Sequence, residues 1–166
     1  MRYFLFSLLT TILVASLALG SLFKKSDNHS DLLMPYIEWI VENSEYEYNN
    51  EPLPDITFMT RQEMNYLFYG ETILDESQRI EALYDTIQNR IILPEGTDIT
   101  SYHTAPAIVH ELVHFLQMTA GNFGKVCMGQ LEITAYELQI AWMDQINHTD
   151  PRPDEFTFRS LILMCF

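Results

Sequence analysis

Apolar residues between positions 105 and 120 recur with the period of an α-helix. With His110 set at zero on a helical wheel, the opposite arc is apolar and comprises Ile108, Val109, Leu112, Phe115 and Leu116. The arc near zero carries Ala107, His114 and Gln117. Residues four apart share one face of a helix. The pattern therefore predicts a helix that buries its back and presents polar groups on its front, beginning after Thr104 and ending at Gly121 and Asn122.

The rest of the chain alternates helical and β-rich segments. Further helices are predicted over residues 31–44, capped by Asp31, 61–69, stopped by Gly70, and 128–146. Strands are predicted at 56–59, 83–85 and 89–93, and the apolar end at 156–166 is a helix or a strand. These elements predict an α+β fold, with a small antiparallel or mixed sheet at one side of a helical layer.

The front of the first helix carries the pattern His-Glu-x-x-His at residues 110–114. The four-residue spacing lets the imidazoles of His110 and His114 reach one metal ion from one face. Neutral histidine nitrogens suit Zn²⁺, which takes three protein ligands and one water in catalytic sites. Glu111, about 100° around the helix from His110, is placed to act as the general base toward that water.

A catalytic zinc site needs a third protein ligand. The metzincin extension would require Gly and His at positions 117 and 120, where this chain has Gln117 and Ala120. On the helix over 128–146, Glu132 shares its side with the small residues Gly129 and Ala135 and with Tyr136, Gln139 and Met143. Glu137 lies on a more polar arc with Thr134 and Asp144. Glu132 is therefore the preferred ligand, and Glu137, His103 and His148 are the alternatives.

The motif His110–His114 followed by Glu132 resembles the gluzincin branch of the zincin metallopeptidases, and is similar to short bacterial secreted proteins of that branch. The resemblance covers roughly residues 54–147. It implies a zincin-like fold in which an edge strand packs on the motif helix, beside a second ligand-bearing helix, and pairs with extended substrate. It also implies Zn²⁺ and peptide-bond hydrolysis. The longer gluzincin signature has Asp four residues after the third ligand, where this chain has Tyr136.

The chain begins with features of an export signal. An apolar run from Phe4 to Leu19 follows Arg2, and Ala18 and Gly20 form a small-x-small cleavage site. Residues 1–20 are therefore predicted to be a signal peptide, with an uncleaved membrane anchor as the alternative. Residues 21–30 are predicted to be a linker, and residues 31–166 are predicted to form the zincin-like domain. Either reading of residues 1–20 puts that domain outside the cytoplasm, secreted or periplasmic, or anchored with the domain facing outward.

Charge and cysteine count limit the partners. The formal net charge is −14, which argues against nucleic acid and anionic membrane surfaces as partners. Cys127 and Cys165 are the two cysteines of the chain. They can pair in an oxidising compartment or remain buried free thiols.

The sequence thus predicts a zinc-dependent hydrolase, specifically a peptidase, that acts on a peptide or protein substrate outside the cytoplasm. His110, His114 and Glu132 are the expected metal ligands and Glu111 the expected catalytic base. Tyr136, Tyr102 and His103 are candidate donors to the oxyanion. The alternatives are a secreted metal- or peptide-binding protein that keeps the fold without turnover, and a membrane-tethered accessory protein.

Overall fold

The computed structural model describes residues 29–70 and 80–166, and confirms the α+β class. In chain order the elements are α1 (Ser30–Glu42), β1 (Asp55–Met59), α2 (Arg61–Tyr69), β2 (Leu83–Asp85), β3 (Arg90–Pro94), α3 (Ala105–Thr119), α4 (Met128–Gln145) and α5 (Glu155–Leu163). The predicted signal peptide or anchor over 1–20 lies outside the described residues, as does the linker up to residue 28. Within the described ranges, no helix is both long enough and apolar enough to cross a membrane.

The three strands form a mixed sheet in the order β1-β3-β2. β1 runs parallel to β3, with Ile56 opposite Ile91, and β2 runs antiparallel to β3, with Tyr84 also opposite Ile91. The central strand β3 is buried through Ile91, Ile92 and Leu93, as expected for a strand flanked on both sides. All three strands predicted from the sequence are confirmed to within one residue at each end. They leave β2 at an edge of this sheet, next to α3.

The helix α3 is buried on all sides, which corrects the expectation of a one-sided helix. Its apolar back packs in the core, but His110, Glu111, His114 and Gln117 on the other arcs are buried as well. The cause is tertiary, because α1 and β2 contact α3 and α4 covers it too. Buried polar side chains on such a helix must find hydrogen-bond partners inside the protein.

The helix ends largely follow the predicted signals. Thr60 and Glu63 form a capping box at the start of α2, and Gly70 ends that helix in the left-handed conformation. The start of α1 differs from the prediction. Its N-cap is His29, so Asp31 lies in the first turn of the helix, where a carboxylate complements the helix dipole.

The apolar C-terminal run forms the helix α5, which packs against the first turns of α4. Cys127, the N-cap of α4, is joined by a disulfide to Cys165, with a Cα–Cα distance of 5.5 Å. Gly129 permits this close approach, because a Cβ built there would lie 1.9 Å from the carbonyl oxygen of Leu161 in α5. Gly129 is therefore a point of close approach between α5 and the backbone of α4.

The packing at Gly129 predicts that Gly129→Ala destabilises the protein. The added methyl group meets the backbone of Leu161, so α5 must shift, at a cost of about 1–3 kcal/mol in the free energy of unfolding. Denaturant unfolding measures this change. The matched control is Gln130→Ala, at the neighbouring exposed position, which should stay within about 0.5 kcal/mol of the wild type. Equal effects of the two substitutions would contradict this account of the α4–α5 contact.

Candidate metal centre

His110 and His114 point from α3 toward Glu132 on α4. Their Nε2 atoms lie 3.1 Å apart. Nε2 of His110 lies 3.3 Å from one carboxylate oxygen of Glu132, and Nε2 of His114 lies 3.3 Å from the other. The structure therefore brings together the three residues that the sequence analysis named as metal ligands.

The spacing of these atoms fits a tetrahedral metal ion. Ligands about 2.0–2.2 Å from Zn²⁺ at tetrahedral angles lie about 3.3–3.6 Å from one another. The observed separations of 3.1 and 3.3 Å are close to this. The imidazoles are buried, whereas the side chain of Glu132 is 27% exposed, so solvent reaches the cluster from the Glu132 side. The two nitrogens and the carboxylate are a donor set that suits zinc.

Two glutamines orient the imidazoles. Nδ1 of His110 lies 3.1 Å from Oε1 of Gln139, and Nδ1 of His114 lies 2.8 Å from Oε1 of Gln117. An amide oxygen only accepts hydrogen bonds, so each Nδ1 carries a hydrogen and donates it. Both Nε2 atoms are then available as metal ligands, the arrangement in which outer partners usually hold metal-binding histidines.

The cluster strongly perturbs its own ionisation in the metal-free state. Burial alone would raise the pKa of Glu132, but hydrogen bonds and charge from His114 and His110 lower it well below its usual range. Burial likewise lowers the pKa of His114, but the hydrogen bond and charge of Glu132, with the charge of Glu111, raise it to about 9. In the metal-free protein at neutral pH, a proton therefore occupies this cluster where a cation would bind.

Glu111 is buried beside the cluster, with 7% of its surface exposed. The backbone N–H of Tyr84 in β2 donates a hydrogen bond to its carboxylate. Burial raises the pKa of Glu111 above its ordinary value, although the charges of His110 and His114 act in the opposite direction. Glu111 and Glu132 are thus two neighbouring carboxyl groups with opposite pKa shifts, an arrangement typical of acid–base sites.

Aromatic rings line the cluster. The ring of Tyr136 lies 4.5 Å from that of His110, and Phe123 lies 6.4 Å from His114. Phe158 of α5 packs 6.2 Å from Tyr136. Burial, followed by the charges of Glu132 and Glu111, raises the pKa of Tyr136. Its hydroxyl therefore stays protonated and is able to donate a hydrogen bond.

The other candidate donors and ligands lie in a separate cluster or on the surface. Glu137 is exposed. Tyr102 stacks on His148, with ring centroids 3.9 Å apart, and His103 pairs with Asp150 at 2.9 Å. Tyr102 and His103 are therefore engaged with this second group rather than with the His110–His114 pair.

The second group, His103, His148 and Asp150, is a poor metal site although its ligand atoms lie close together. Nε2 of His148 lies 2.8 Å from the carbonyl oxygen of Tyr102, so it must donate. Nδ1 of the same ring accepts from the backbone N–H of Asp150. Both nitrogens of this buried ring are thus used in holding two loops together.

Sequence reasoning missed the roles of Gln117, Gln139 and the backbone of Tyr84. The helical wheel had put Gln117 on the side of the histidines and Gln139 on the side of Glu132, so the relevant signal was present. What the wheel could not supply was the distance between the two helices.

Residues 25–151 match a family described as Domain of unknown function (DUF6647). The chain belongs to this family. The matched range includes all four residues His110, Glu111, His114 and Glu132, and it ends before α5 and Cys165. No match was found among curated proteins or among solved structures.

The geometry of the cluster predicts that Glu132 contributes to metal binding and Glu137 does not. Isothermal titration with Zn²⁺ should give about one site per chain, and Glu132→Gln should weaken it by at least about tenfold, as loss of a charged ligand implies. Glu137→Gln, a matched change on the exposed side of the same helix, should leave the affinity unchanged. An equal or larger effect at Glu137 would overturn the assignment.

The raised pKa of His114 predicts that metal binding releases a proton. The folded, metal-free side chain is protonated below about pH 9, and only its neutral form binds metal. Zn²⁺ binding at neutral pH should therefore release about one proton from this cluster, and affinity should fall as pH falls. Calorimetry in buffers of different ionisation enthalpy measures the release, which should decline as pH is raised toward 9. Binding without proton release at neutral pH would contradict the protonation state.

Proposed function

We propose that this protein is a zinc-dependent hydrolase, specifically a peptidase of the gluzincin type. His110, His114 and Glu132 would hold Zn²⁺, and Glu111 would be the catalytic base. The convergence of the two Nε2 atoms with the carboxylate of Glu132, at 3.1–3.3 Å, is the observation that carries this assignment. A buried fourth side chain, Glu111, adds acid–base capacity that metal storage alone does not need.

When bound, Zn²⁺ supplies a Lewis acid that polarises a substrate carbonyl and acidifies water. The protein contributes the positions of the ligands. His110 and His114 come from consecutive turns of α3, and Glu132 closes the set from α4. Gln117 and Gln139 hold the imidazoles so that both Nε2 atoms face the same point. This preorganisation reduces the ordering that metal binding would otherwise require.

Glu111 would accept the proton of the attacking water and deliver it to the leaving amine. Its burial raises its pKa, which brings the carboxylate closer to the range in which a general base works at neutral pH. The N–H of Tyr84 holds the carboxylate between α3 and β2. The transferred proton would therefore be held by the Glu111 carboxylate, whose position is fixed by its hydrogen bond to the edge strand β2.

The surroundings of Glu111 provide places for a substrate. Because the N–H of Tyr84 reaches Glu111, this backbone group points away from β3 and toward α3. An extended peptide lying along β2 would pass beside Glu111, and its backbone would pair with groups on the edge of β2 other than the Tyr84 N–H. Tyr136 is the candidate that lies at the cluster, and its protonated hydroxyl would stabilise the oxyanion.

The compartment we propose is outside the cytoplasm. The apolar N-terminal run resembles an export signal, and the disulfide between Cys127 and Cys165 is of a kind that persists in oxidising surroundings. The acidic charge of the chain favours cationic or neutral peptides over nucleic acid as partners.

Replacing Glu111 tests the hydrolase directly. Glu111→Gln should keep the fold and the bound Zn²⁺ but reduce cleavage of a broad peptide library by at least about 10²–10⁴-fold, the usual contribution of a general base. The reason is that Glu111 transfers a proton and does not hold the metal. Mass spectrometry of the digested library measures cleavage, and metal analysis measures the bound zinc.

Glu137→Gln serves as the control, because it makes the same chemical change at an exposed position. It should cleave like the wild type. A wild type that binds Zn²⁺ yet cleaves no member of the library would favour the alternative, a metal- or peptide-binding protein. Equal cleavage by Glu111→Gln and the wild type would assign the activity to another site.

A further inference from the structure

We propose that Gln117 is a positioning residue that sets two metal ligands, His114 and Glu132, through one buried side-chain amide. The inference rests on the proposed metal site. Gln117 lies on α3 one turn after His114, and its exposure is 0%. A fully buried amide requires partners for both its oxygen and its nitrogen, and here the two partners lie on different helices.

The hydrogen bonds determine which way the amide faces. Its nitrogen donates to the backbone oxygen of Leu131 in α4, at 2.9 Å. A carbonyl oxygen cannot donate, so the amide nitrogen must be on that side. The amide oxygen is then turned to Nδ1 of His114, at 2.8 Å, and accepts its hydrogen. The orientation of the His114 ring therefore follows from a contact with α4.

Leu131 directly precedes Glu132 in the chain. The hydrogen bond from Gln117 to the Leu131 carbonyl joins two helical turns. One is the turn of α4 that carries Glu132, and the other is the turn of α3 that follows His114. The same amide thus fixes the direction of one ligand and the position of another. This tie is consistent with the 3.3 Å separation between Nε2 of His114 and the carboxylate of Glu132.

Gln139, the other glutamine at the site, has a side-chain amide that orients only one ligand. It reaches from α4 to Nδ1 of His110 at 3.1 Å. Its amide nitrogen, however, contacts the sulfur of Met143 on its own helix at 3.9 Å. Gln139 therefore orients one ligand, whereas Gln117 also ties a ligand-bearing helix into place. Removing the side-chain amide of Gln117 should therefore weaken metal binding more than removing the side-chain amide of Gln139.

Three variants separate the two functions of Gln117. Gln117→Met keeps a similar shape and removes both hydrogen bonds. Gln117→Glu keeps an oxygen for His114 but loses the donor to Leu131. Gln139→Met is the matched change at the other glutamine. Zn²⁺ affinity should fall about 10–100-fold in Gln117→Met, the usual effect of losing an outer partner of a ligand, and less in the other two.

A second readout does not depend on the metal. In nitrogen-15 NMR of the metal-free full chain, His114 should show an Nδ1 proton protected from solvent exchange. This signal should persist in Gln117→Glu and Gln139→Met and disappear in Gln117→Met. The absorption spectrum of the Co²⁺-loaded protein should change in Gln117→Met and Gln117→Glu, because Glu132 moves relative to the histidines.

Leu116→Ala controls for general loss of packing, since Leu116 is buried on the same helix and points into the apolar core. It should lower stability but leave the His114 signal and the Co²⁺ spectrum intact. A Gln117→Met protein with the protected His114 proton and wild-type Zn²⁺ affinity would overturn the proposal, as would a Leu116→Ala protein with the same spectral changes. A wild type that binds no Zn²⁺ contradicts the proposed function, and the NMR signals then decide the positioning role.

Discussion

The contact between α3 and α4 is the interaction on which the rest of the structure depends. It buries two imidazoles and an amide in the interior of a small protein, where unpaired polar groups are costly. Gln117 and Gln139 each cross from one helix to the other, in opposite directions. Their amides satisfy the Nδ1 hydrogens and leave the two Nε2 atoms turned toward Glu132. The helix pair is therefore held together by the same groups that arrange the candidate ligands.

The two carboxyl groups beside the imidazoles, Glu132 and Glu111, have opposite pKa shifts. Although its burial acts in the opposite direction, hydrogen bonds and charge from the two imidazoles lower the pKa of Glu132, whereas burial raises the pKa of Glu111. Residues of one chemical type thus acquire different properties from their surroundings. One carboxylate is suited to hold a cation and the other to exchange a proton, as the proposed hydrolase would require.

The C-terminal helix α5 packs beside the candidate metal site, although it lies outside the residues that match the family. α5 is tied to the start of α4 by the Cys127–Cys165 disulfide and touches its backbone at Gly129. It carries Phe158 against Tyr136, which in turn lies against His110. The surface next to the candidate site therefore includes a segment that the family match, ending at residue 151, does not cover.

The sequence alone determined the local features. The i, i+4 spacing of His110 and His114 places both imidazoles on one face whenever a helix forms. Apolar periodicity predicted the strands and helices, and cap and stop residues predicted most helix bounds. The wheel also favoured Glu132 over Glu137, because Glu132 shares a face with small residues and Gln139 whereas Glu137 lies on a more polar arc. Only the tertiary structure decided that α3 is covered on all sides, that Gln117 bonds to Leu131, and that Tyr84 reaches Glu111. Each of these depends on the separation and angle between elements far apart in the chain, and residue periodicity contains no information on either quantity.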